Sequence, residues 1–325
     1  MRFLLFRLPN ENKFYCIKGQ ELGQNLASFF PFCDGEILHL HSDKVEQISK
    51  EEIYKILDNI SLPIEKEKIK FPTEREYFAK IERTIQEIKT NQLQKLVISR
   101  PIYQRVEKWD LTQIFLKLTQ KYPQTLCYLW KDQDKIWLGA TPEILGKYNA
   151  QNSIFETMSL AGTLSKSQEW SDKEKEEQKA VTEYISNILK THTDEIEISE
   201  VKDQILGEIK HLRTDFRAKI QKSDLESLIQ KLHPTPAVCG FPTSFCKTKI
   251  KEIEAYPREY YTGYIKIAMP NDEVHFFVNL RCMQIFRNSA IRYVGGGITA
   301  KSNLKTEWQE TEMKARMLRN IWKLK

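Results

Sequence analysis

The pattern of hydrophobic and polar positions changes its period several times along the chain. Near the N-terminus, short apolar runs alternate with turn residues, which predicts strands of a sheet. These runs span residues 2–8, 13–18 and 35–40. Further along, apolar positions recur every three to four residues, which predicts helices. The first predicted helices span 49–59 and 73–90, the second after a Pro-Thr start signal.

The middle and C-terminal parts of the chain continue this mixture. Predicted strands span 94–104, two runs within 125–148 split by a polar turn, 153–163, 261–268, 274–287 and 290–293. Predicted helices span 111–120, 171–191, a segment after Ser223 and about 304–322, whereas 195–217 is mixed in character. Because strands outnumber helices but the helices are long, the pattern predicts an α+β fold with large, mainly antiparallel sheets.

Composition favours one large domain. The chain has 325 residues, 41% of them hydrophobic, and its 12 Gly and 12 Pro residues are scattered rather than gathered in a linker. This is enough apolar material for a large core. Since no internal repeat or compositional break divides the sequence, we predict a single domain over residues 1–325.

Charge and cysteine content narrow the class of protein. The formal net charge of +6, from 50 basic and 44 acidic residues, is too small an excess to indicate nucleic acid by itself. The six cysteines form no CxxC pair and the six histidines no zinc spacing, so reduced thiols in the cytoplasm are expected. The apolar segment 1–10 contains Arg2 and Arg7 and no small-residue cleavage site, so it is predicted to be a strand, and no run has membrane-spanning length.

Two predicted helices place paired carboxylates beside their apolar stripes. In the last helix, Glu307, Glu310 and Lys314 share the side of the stripe. This stripe consists of Met317, Leu318 and Ile321. In the helix over 171–191, Glu177 directly precedes the apolar stripe, and Glu174 lies one turn earlier.

Carboxylates that face a core are costly unless they are paired or hold a ligand. The two Glu pairs together can therefore hold one hard cation through oxygen ligands, for which Mg²⁺ is the natural choice. The alternative is that each pair reflects the general preference for acidic residues in the first turn of a helix.

Two further residues are candidates for proton transfer. Lys95 opens the hydrophobic strand over 94–104, where a desolvated lysine can serve as a general base. Glu143 follows Pro142 in a turn after a strand, and partial burial of its carboxyl would raise its pKa so that it acts as an acid near neutrality. The alternatives are a surface lysine at a strand end and an ordinary Pro-Glu turn.

Small residues and one arginine suggest an anion-binding surface. The segments 160–163 and 295–297 each follow a predicted strand, where small residues expose backbone N–H groups to an anion. Arg281 is predicted to lie in the middle of a strand, where it suits a bidentate contact with a carboxylate, and Tyr261 and Lys314 can add donors. The alternatives are turn formation for the glycines and a structural ion pair for Arg281.

Taken together and in order, nine segments resemble the chorismate-utilising enzymes, which include isochorismate synthase, salicylate synthase and the large subunits of anthranilate and aminodeoxychorismate synthases. The segments are KLVISR (95–100), GATPEIL (139–145), LAGT (160–163), SDKEKEEQKAV (171–181), HLRT (211–214), LHPTPAVCGFP (232–242), REYYTGY (258–264), VNLRC (278–282), and VGGGI with EWQETEMK (294–298 and 307–314). The matches lie in the region 91–325, whereas residues 1–90, the predicted N-terminal sheet and helix portion, carry little of the resemblance.

The resemblance implies one α+β domain with two large antiparallel sheets layered face to face, helices outside, and a Mg²⁺-dependent site. It implies that Lys95 is the base that activates water for attack at C2 of chorismate, and that Glu143 is the acid that protonates the departing C4 hydroxyl. His211 would sit near the C4 oxygen. The enzyme would be cytoplasmic and monomeric, without an amidotransferase subunit, a nucleic-acid partner or a membrane.

The same resemblance implies how the substrate and the ion are held. Glu177 and Glu310 would bind Mg²⁺ directly, and Glu174 and Glu307 would bind it through water. The remaining predicted contacts surround the two carboxylates of chorismate: Tyr261, Arg281, Gly295 and Gly297 at the enolpyruvyl carboxylate, and Gly162, Thr163 and Lys314 at the ring carboxylate and the metal.

Few residues distinguish family members that catalyse different reactions. Enzymes that use ammonia typically have Gln in place of Lys95, so water is the expected nucleophile. Salicylate synthases usually have Thr near the position of Ala237, and the segment LHPTPA (232–237) is similar to isochorismate synthase. We therefore expect conversion of chorismate to isochorismate, for menaquinone or a siderophore. Formation of salicylate and pyruvate is the alternative, and a catalytically inactive binding homologue is a further one.

The chain departs from the family pattern in two places. Gln178 stands where the acidic helix of the family usually has His after Glu177, although Gln can still donate one of the hydrogen bonds that His would make. The segment before Lys95 is also short compared with that of many members, so the sequence does not indicate which strand forms the edge of the sheet.

Overall fold

The computed structural model describes residues 1–65 and 70–319, and side chains through Arg316. The strands are β1 (Phe3–Arg7), β2 (Phe14–Lys18), β3 (Gln24–Phe30), β4 (Leu38–Ser42), β5 (Glu46–Ile48), β6 (Leu96–Arg105), β7 (Leu126–Asp132), β8 (Lys135–Thr141), β9 (Ile144–Asn149), β10 (Ile154–Ser165), β11 (Ile196–Ile198), β12 (Lys202–Leu206), β13 (Ile209–Lys219), β14 (Tyr264–Ala268), β15 (Glu273–Val278), β16 (Cys282–Ile285) and β17 (Ser289–Ile298). The helices are α1 (Lys50–Leu57), α2 (Glu74–Thr90), α3 (Leu111–Lys121), α4 (Asp172–Lys190), α5 (Leu225–Leu232), α6 (Thr243–Glu254) and α7 (Leu304–Arg319).

The strands form two sheets, and every pair of neighbours is antiparallel. The first sheet has eight strands in the order β5-β2-β1-β7-β8-β16-β17-β6. The second has nine, in the order β11-β13-β10-β9-β15-β14-β3-β4, with β12 also paired to β13. The predicted α+β architecture with two large antiparallel sheets is therefore confirmed.

Alternation along β1 shows how the layers pack. Phe3 and Leu5 belong to a core with side chains of α1 and α3. Leu4 and Phe6 belong to a second core with the strands of the other sheet, including Phe29 of β3. Because successive side chains of a strand point to opposite faces, the first sheet lies between these helices and the second sheet. Side chains of α4 and α5 cover the other face of the second sheet, so the helices are outside, as predicted.

Local sequence explains where the helices begin. Ser49 and Thr73 cap α1 and α2. The side chain of each accepts a hydrogen bond from the backbone N–H of the glutamate three residues later, and its own backbone N–H donates one to the carboxylate of that glutamate. The Pro-Thr signal before 73–90 therefore marked the correct start. Within residues 1–65 and 70–319, no helix combines the length and apolar character that a bilayer crossing requires.

Several predicted elements need correction. The predicted strand 274–287 is two strands, β15 and β16, and Arg281 lies in the break between them with φ of +49° rather than in mid-strand. Residues 295–297 do not form a turn but lie within β17. Gly162 lies within β10, at an irregularity in its pairing with β13, with φ of +69°.

Other differences are additions. The region 125–148 contains three strands rather than two, and 195–217 resolves into β11, β12 and most of β13. The strand β3 and the helix α6 had no counterpart in the prediction. The predicted apolar stripe of the last helix, Met317, Leu318 and Ile321, lies outside the described side chains.

Candidate active site

A cavity that is partly open to solvent is lined by residues of both sheets, of α4 and of α7. Its apolar walls include Val97, Ala237, Val238 and Leu280. Ten of the predicted site residues line it: Glu143, Gly162, Thr163, Glu177, His211, Tyr261, Arg281, Gly295, Gly297 and Lys314. The fold therefore brings together side chains that are far apart in the sequence.

Lys95 directly precedes β6 and does not itself line this cavity. It lines a neighbouring groove and lies against Glu177 and Gly297, which belong to the cavity wall. Its ammonium donates a hydrogen bond to Glu177 Oε1, and both side chains are largely buried. The pair passes over Gly297, where an added Cβ would meet the Lys95 side chain and lie 3.1 Å from Glu177 Oε1. Burial acts to raise the pKa of Glu177, but the charge and hydrogen bond of Lys95, together with the charges of Lys314 and Lys173, lower this pKa overall.

Glu143 lies between β8 and β9, and its side chain is buried. Burial raises the pKa of this carboxyl from 4.5 to about 7, against the opposing effects of a hydrogen bond from Thr235 and the charge of Lys95. Thr235 Oγ1 is 3.4 Å from Glu143 Oε1. Because a carboxyl with this pKa remains partly protonated at neutral pH, it can donate a proton.

His211 on β13 is buried between a carbonyl group and an arginine. Its Nδ1 lies 2.6 Å from the carbonyl oxygen of Gly162, which can only accept, so Nδ1 carries the proton. Nε2 then accepts a hydrogen bond from Arg281 Nη2 at 3.1 Å. Burial, together with the charge of Arg281, lowers the pKa of His211 to about 3. The ring is therefore neutral and holds Arg281 in place.

Arg281 has one donor left for a ligand. Its Nη1 is buried and has no acceptor among the described residues. Tyr261 lines the same cavity with its ring stacked on Tyr293, and an added Cβ at Gly295 would lie 3.0 Å from the Tyr261 hydroxyl. A buried, unpaired guanidinium donor is costly unless an anion completes it. This corner of the cavity therefore suits a carboxylate.

Three of the four predicted metal-binding carboxylates gather near Gly296 and Gly297. An added Cβ at Gly296 would lie 3.4 Å from Glu307 Oε2 and 3.8 Å from Glu310 Oε1. Burial, and then the charge of Glu310, raise the pKa of Glu307. Glu177 is the third member, through its contact with Gly297.

Each of these three carboxylates has a lysine partner. Besides the contact between Lys95 and Glu177, Lys314 Nζ lies 2.6 Å from Glu310 Oε1 and 2.9 Å from the carbonyl oxygen of Gly295. Lys173 Nζ lies 2.9 Å from Glu307 Oε1, which also accepts a hydrogen bond from the Ser302 hydroxyl at 2.6 Å.

The fourth carboxylate, Glu174, has a structural contact. It is the third residue of α4 and accepts hydrogen bonds from the backbone and hydroxyl of Ser171, which caps the helix. Its Cβ also packs against Gly162, where an added Cβ would lie 3.1 Å away. In this arrangement Glu174 fixes the start of α4 and does not join the other carboxylates.

The carboxylate cluster fits a hard cation in its chemistry. No three His, Cys, Asp or Glu side chains in the described ranges form a ready metal site, and a lysine contacts each of Glu177, Glu307 and Glu310. Glu307 Oε2, however, is buried and receives no hydrogen bond within the described part of the chain. A buried carboxylate oxygen without a donor, close to a second carboxylate, suits the oxygen-only ligand preference of Mg²⁺.

Sequence reasoning missed two functional neighbours. Lys173 lies four residues before Glu177 and is one lysine of a charged helix turn in the sequence, so only the folded structure reveals its contact with Glu307 of α7. Thr235 precedes Ala237 in the segment LHPTPA, and its hydrogen bond to Glu143 depends on the path of the loop. The motif contained both residues without indicating their partners.

Comparison with known proteins shows the family of the chain. The family model "Chorismate binding enzyme" matches residues 35–322, and the chain belongs to this family. Among its relatives is isochorismate synthase MenF of Haemophilus influenzae, which is 29% identical over 262 residues, covering 74% of this chain and 59% of that protein. The chain spans 47% to 59% of the length of three curated isochorismate synthases that it matches.

Solved structures support the fold. MenF, the menaquinone-specific isochorismate synthase from Escherichia coli, superposes with a TM-score of 0.80 at 20% identity and covers 99% of this chain and 88% of that chain. Anthranilate synthase component I from Streptococcus pneumoniae superposes with a TM-score of 0.72 at 17% identity and covers 98% of this chain and 92% of that chain. Because enzymes with different reactions share this fold, the reaction must be argued from the site.

Proposed function

We propose that this protein is an isochorismate synthase, which converts chorismate to isochorismate by adding water at C2 and losing the hydroxyl at C4. The observation that carries the proposal is a protonatable carboxyl, Glu143, in the cavity wall, with Lys95 beside that wall. Lys95 and Glu143 lie close enough for the charge of the lysine to act on the carboxyl. The reaction consumes one water and releases one, so it needs no redox partner.

Lys95 acts as the base in this proposal. Once its ammonium has given up its proton and its contact with Glu177, the amine can take a proton from the water that attacks C2. Gly297 leaves the room for this side chain to approach the ring. Because the base is a lysine, at the position where the ammonia-using enzymes of the family typically have Gln, water is the proposed nucleophile.

Glu143 acts as the acid. As water adds at C2, the ring double bonds shift and the bond from C4 to its hydroxyl breaks, so that hydroxyl must receive a proton to leave as water. A carboxyl with a pKa of about 7 can supply this proton at neutral pH. Thr235 orients the carboxyl through its hydroxyl.

The chain's donors hold the two carboxylates of chorismate. Arg281, oriented by His211, offers its unpaired Nη1 to the enolpyruvyl carboxylate, with Tyr261 beside it. Glu177, Glu307 and Glu310 would hold Mg²⁺. When bound, the ion would neutralise the ring carboxylate and polarise the ring. In this proposal Glu174 acts indirectly, because it fixes the start of α4, the helix that carries Glu177.

The cellular role follows from the product. We propose a cytoplasmic monomer that works without an amidotransferase subunit, because water replaces ammonia as nucleophile. Isochorismate would feed either menaquinone or a catechol siderophore, and neighbouring genes would distinguish these pathways.

Product analysis tests the reaction. The purified protein, incubated with chorismate and Mg²⁺ with and without ammonium, should form isochorismate alone by liquid chromatography, and EDTA should abolish the reaction. Lys95→Ala should lower turnover by on the order of a thousandfold, as expected for loss of a general base, with an unchanged circular dichroism spectrum. Salicylate with pyruvate, or anthranilate with ammonium, would reassign the reaction, and unchanged turnover by the variant would exclude Lys95 as the base.

A further inference from the structure

One of the three lysines at the carboxylate cluster has no part in the proposed reaction. Lys95 is the proposed base, and Lys314 also binds the backbone of Gly295 at the cavity. Lys173 instead contacts Glu307 and does not line the substrate cavity. Its position therefore needs a separate explanation.

Lys173 and Glu307, which are in contact, differ in how far their side chains are exposed to solvent. The Lys173 side chain is 29% exposed, whereas that of Glu307 is 1% exposed. Glu307 also receives a hydrogen bond from Ser302 on one oxygen, while its other oxygen has no donor among the described residues. A carboxylate this deeply buried needs a positive partner. Lys173 supplies that charge from outside, across the gap between α4 and α7.

A groove beside Lys173 offers its ammonium group a second position. Lys173 lines this solvent-facing groove beside α4, and the other charged residues of the groove are four carboxylates and three lysines: Asp172, Glu176, Glu177, Glu183, Lys95, Lys179 and Lys301. A lysine has a flexible four-carbon stem and a strongly hydrated ammonium group. If another cation takes over Glu307, the Lys173 ammonium can therefore turn into this groove, where water and carboxylates receive it.

We propose that Lys173 is a built-in counter-cation for Glu307, which holds the cluster together without metal and is displaced when a divalent ion binds. This inference rests on the magnesium dependence proposed above. Lys173 is thus a positioning residue that competes with the ion, rather than a ligand or a catalytic group. Removal of the Lys173 charge should strengthen metal binding and lower the thermal stability of the metal-free protein.

The test is Lys173→Met in the full chain, because methionine keeps an unbranched side chain and loses the charge. Isothermal titration of metal-free protein with Mg²⁺ should give a Kd on the order of tenfold lower than that of the wild type, since a charge in direct contact with the site no longer competes. Without Mg²⁺ the variant should melt at a lower temperature than the wild type, and added Mg²⁺ should raise its melting temperature by more.

Two variants serve as controls. Lys175→Met makes the same charge change on an exposed position of the same helix and should leave the Kd within about twofold, because exposed charges are screened. Lys173→Arg keeps the charge and should stay close to the wild type. If Lys173→Met does not fold without metal, Lys173→Gln, which can still donate a hydrogen bond to Glu307, should show the same direction of change.

The outcomes separate the two proposals. Wild-type protein that binds no Mg²⁺ would remove the metal site, and with it both the magnesium dependence and this inference. Wild-type protein that binds Mg²⁺, with a Kd unchanged or higher in both Lys173→Met and Lys173→Gln, would overturn the counter-cation alone. A crystal structure with bound Mg²⁺ should show the Lys173 ammonium away from Glu307, and an intact contact would equally contradict the inference.

Discussion

At the scale of single residues, Glu143 shows how one environment sets both reactivity and stability. Burial raises its pKa from 4.5 to about 7, so the folded protein prefers the protonated carboxyl. The unfolded chain does not share this preference. Ionisation of Glu143 therefore costs nothing extra below pH 4.5, costs progressively more as the pH rises towards 7, and has its full cost above 7.

Glu143→Gln should consequently be inactive yet more stable than the wild type in neutral and alkaline solution. A permanently neutral side chain avoids the cost of ionisation, which is about 3 kcal/mol for a shift of this size. The gain in free energy of unfolding should vanish near pH 4.5 and reach its maximum above pH 7. Chemical denaturation at several pH values measures it, with Glu156→Gln, at an exposed position of β10, as control. A gain independent of pH would contradict the burial of a titrating carboxyl.

His211 was predicted to be a site residue, but its hydrogen-bond partners were not predicted. The resemblance placed it near the C4 oxygen, but its two nitrogens are engaged by Gly162 and Arg281. No local pattern shows this, because β13 and the break before β16 meet only in the folded protein. A neutral imidazole in this position orients the guanidinium, and its protonation state does not change near physiological pH.

His211→Asn should therefore act mainly on substrate binding. Loss of the acceptor for Arg281 should raise KM for chorismate by on the order of tenfold, the effect of one hydrogen bond to a charged group, with a smaller change in kcat. His211→Gln, which has a longer reach, should recover part of the loss. Steady-state kinetics across pH measure both constants, and a large fall in kcat at constant KM would instead assign His211 to the chemical step.

At the scale of elements, the sequence predicted what local patterns encode and failed where packing decides. The helices α2 and α4 begin with capping residues that can be read directly, and their predicted bounds agree with the structure. The glycines of β17 read as a turn because glycine usually marks one. They stand in a strand that pairs with β6, where Lys95, Glu177 and the Tyr261 hydroxyl leave little space for side chains.

Arg281 was predicted to lie within a strand but lies in a break between two strands. A β-branched and aromatic neighbourhood predicted a continuous strand, and arginine seldom adopts a positive φ. The break nevertheless turns the guanidinium into the cavity, and the backbone N–H of Ala140 bonds to the carbonyl oxygen of Arg281. Strain of this kind depends on tertiary contacts, so one sequence does not indicate it.

Helix α7 depends on an arginine of β6 for its position. Arg100 is buried, stacks on Trp308 with its guanidinium 3.7 Å from the ring centroid, and donates to Thr311 Oγ1 at 3.0 Å and to Glu312. These contacts fix the helix that carries Glu307, Glu310 and Lys314. The strand thus determines where the carboxylates lie.

Arg100→Met should loosen α7. Loss of the cation–π contact and the hydrogen bonds should lower the free energy of unfolding by about 2–3 kcal/mol, and Arg100→Lys should lose much of the same, because lysine lacks the planar fork. Hydrogen exchange of α7 should accelerate, and Mg²⁺ should bind more weakly. Arg105→Met, at the exposed end of the same strand, is the matched control. Unchanged exchange in α7 would show that its other contacts suffice.

At the scale of the whole molecule, the two sheets depend on the first residues of the chain. The motifs that carry the resemblance all lie in 91–325, and the family model begins at residue 35. The strands β1, β2 and β3 precede that point, yet β1 pairs with β7 in the first sheet and β3 with β14 in the second. The N-terminal strands thus belong to both layers, which the pattern of short apolar runs could not reveal because it shows strands without their partners.

A chain that lacks residues 1–34 should therefore fail to fold cooperatively. The deletion uncovers one edge of each sheet and removes Phe3, Leu4, Leu5 and Phe6, all 0% exposed, from two cores. Burial of such side chains contributes about 1.5–3 kcal/mol each, comparable in sum with the net stability of a domain. Thermal unfolding followed by near-ultraviolet circular dichroism should show no sharp transition. In the full chain, Phe6→Asp should approach the same result, whereas Lys13→Asp, at an exposed position, should not. If the shortened protein melted sharply and still converted chorismate, the prediction of a single domain over 1–325 would be wrong, because the core over 91–325 would then fold without the N-terminal strands.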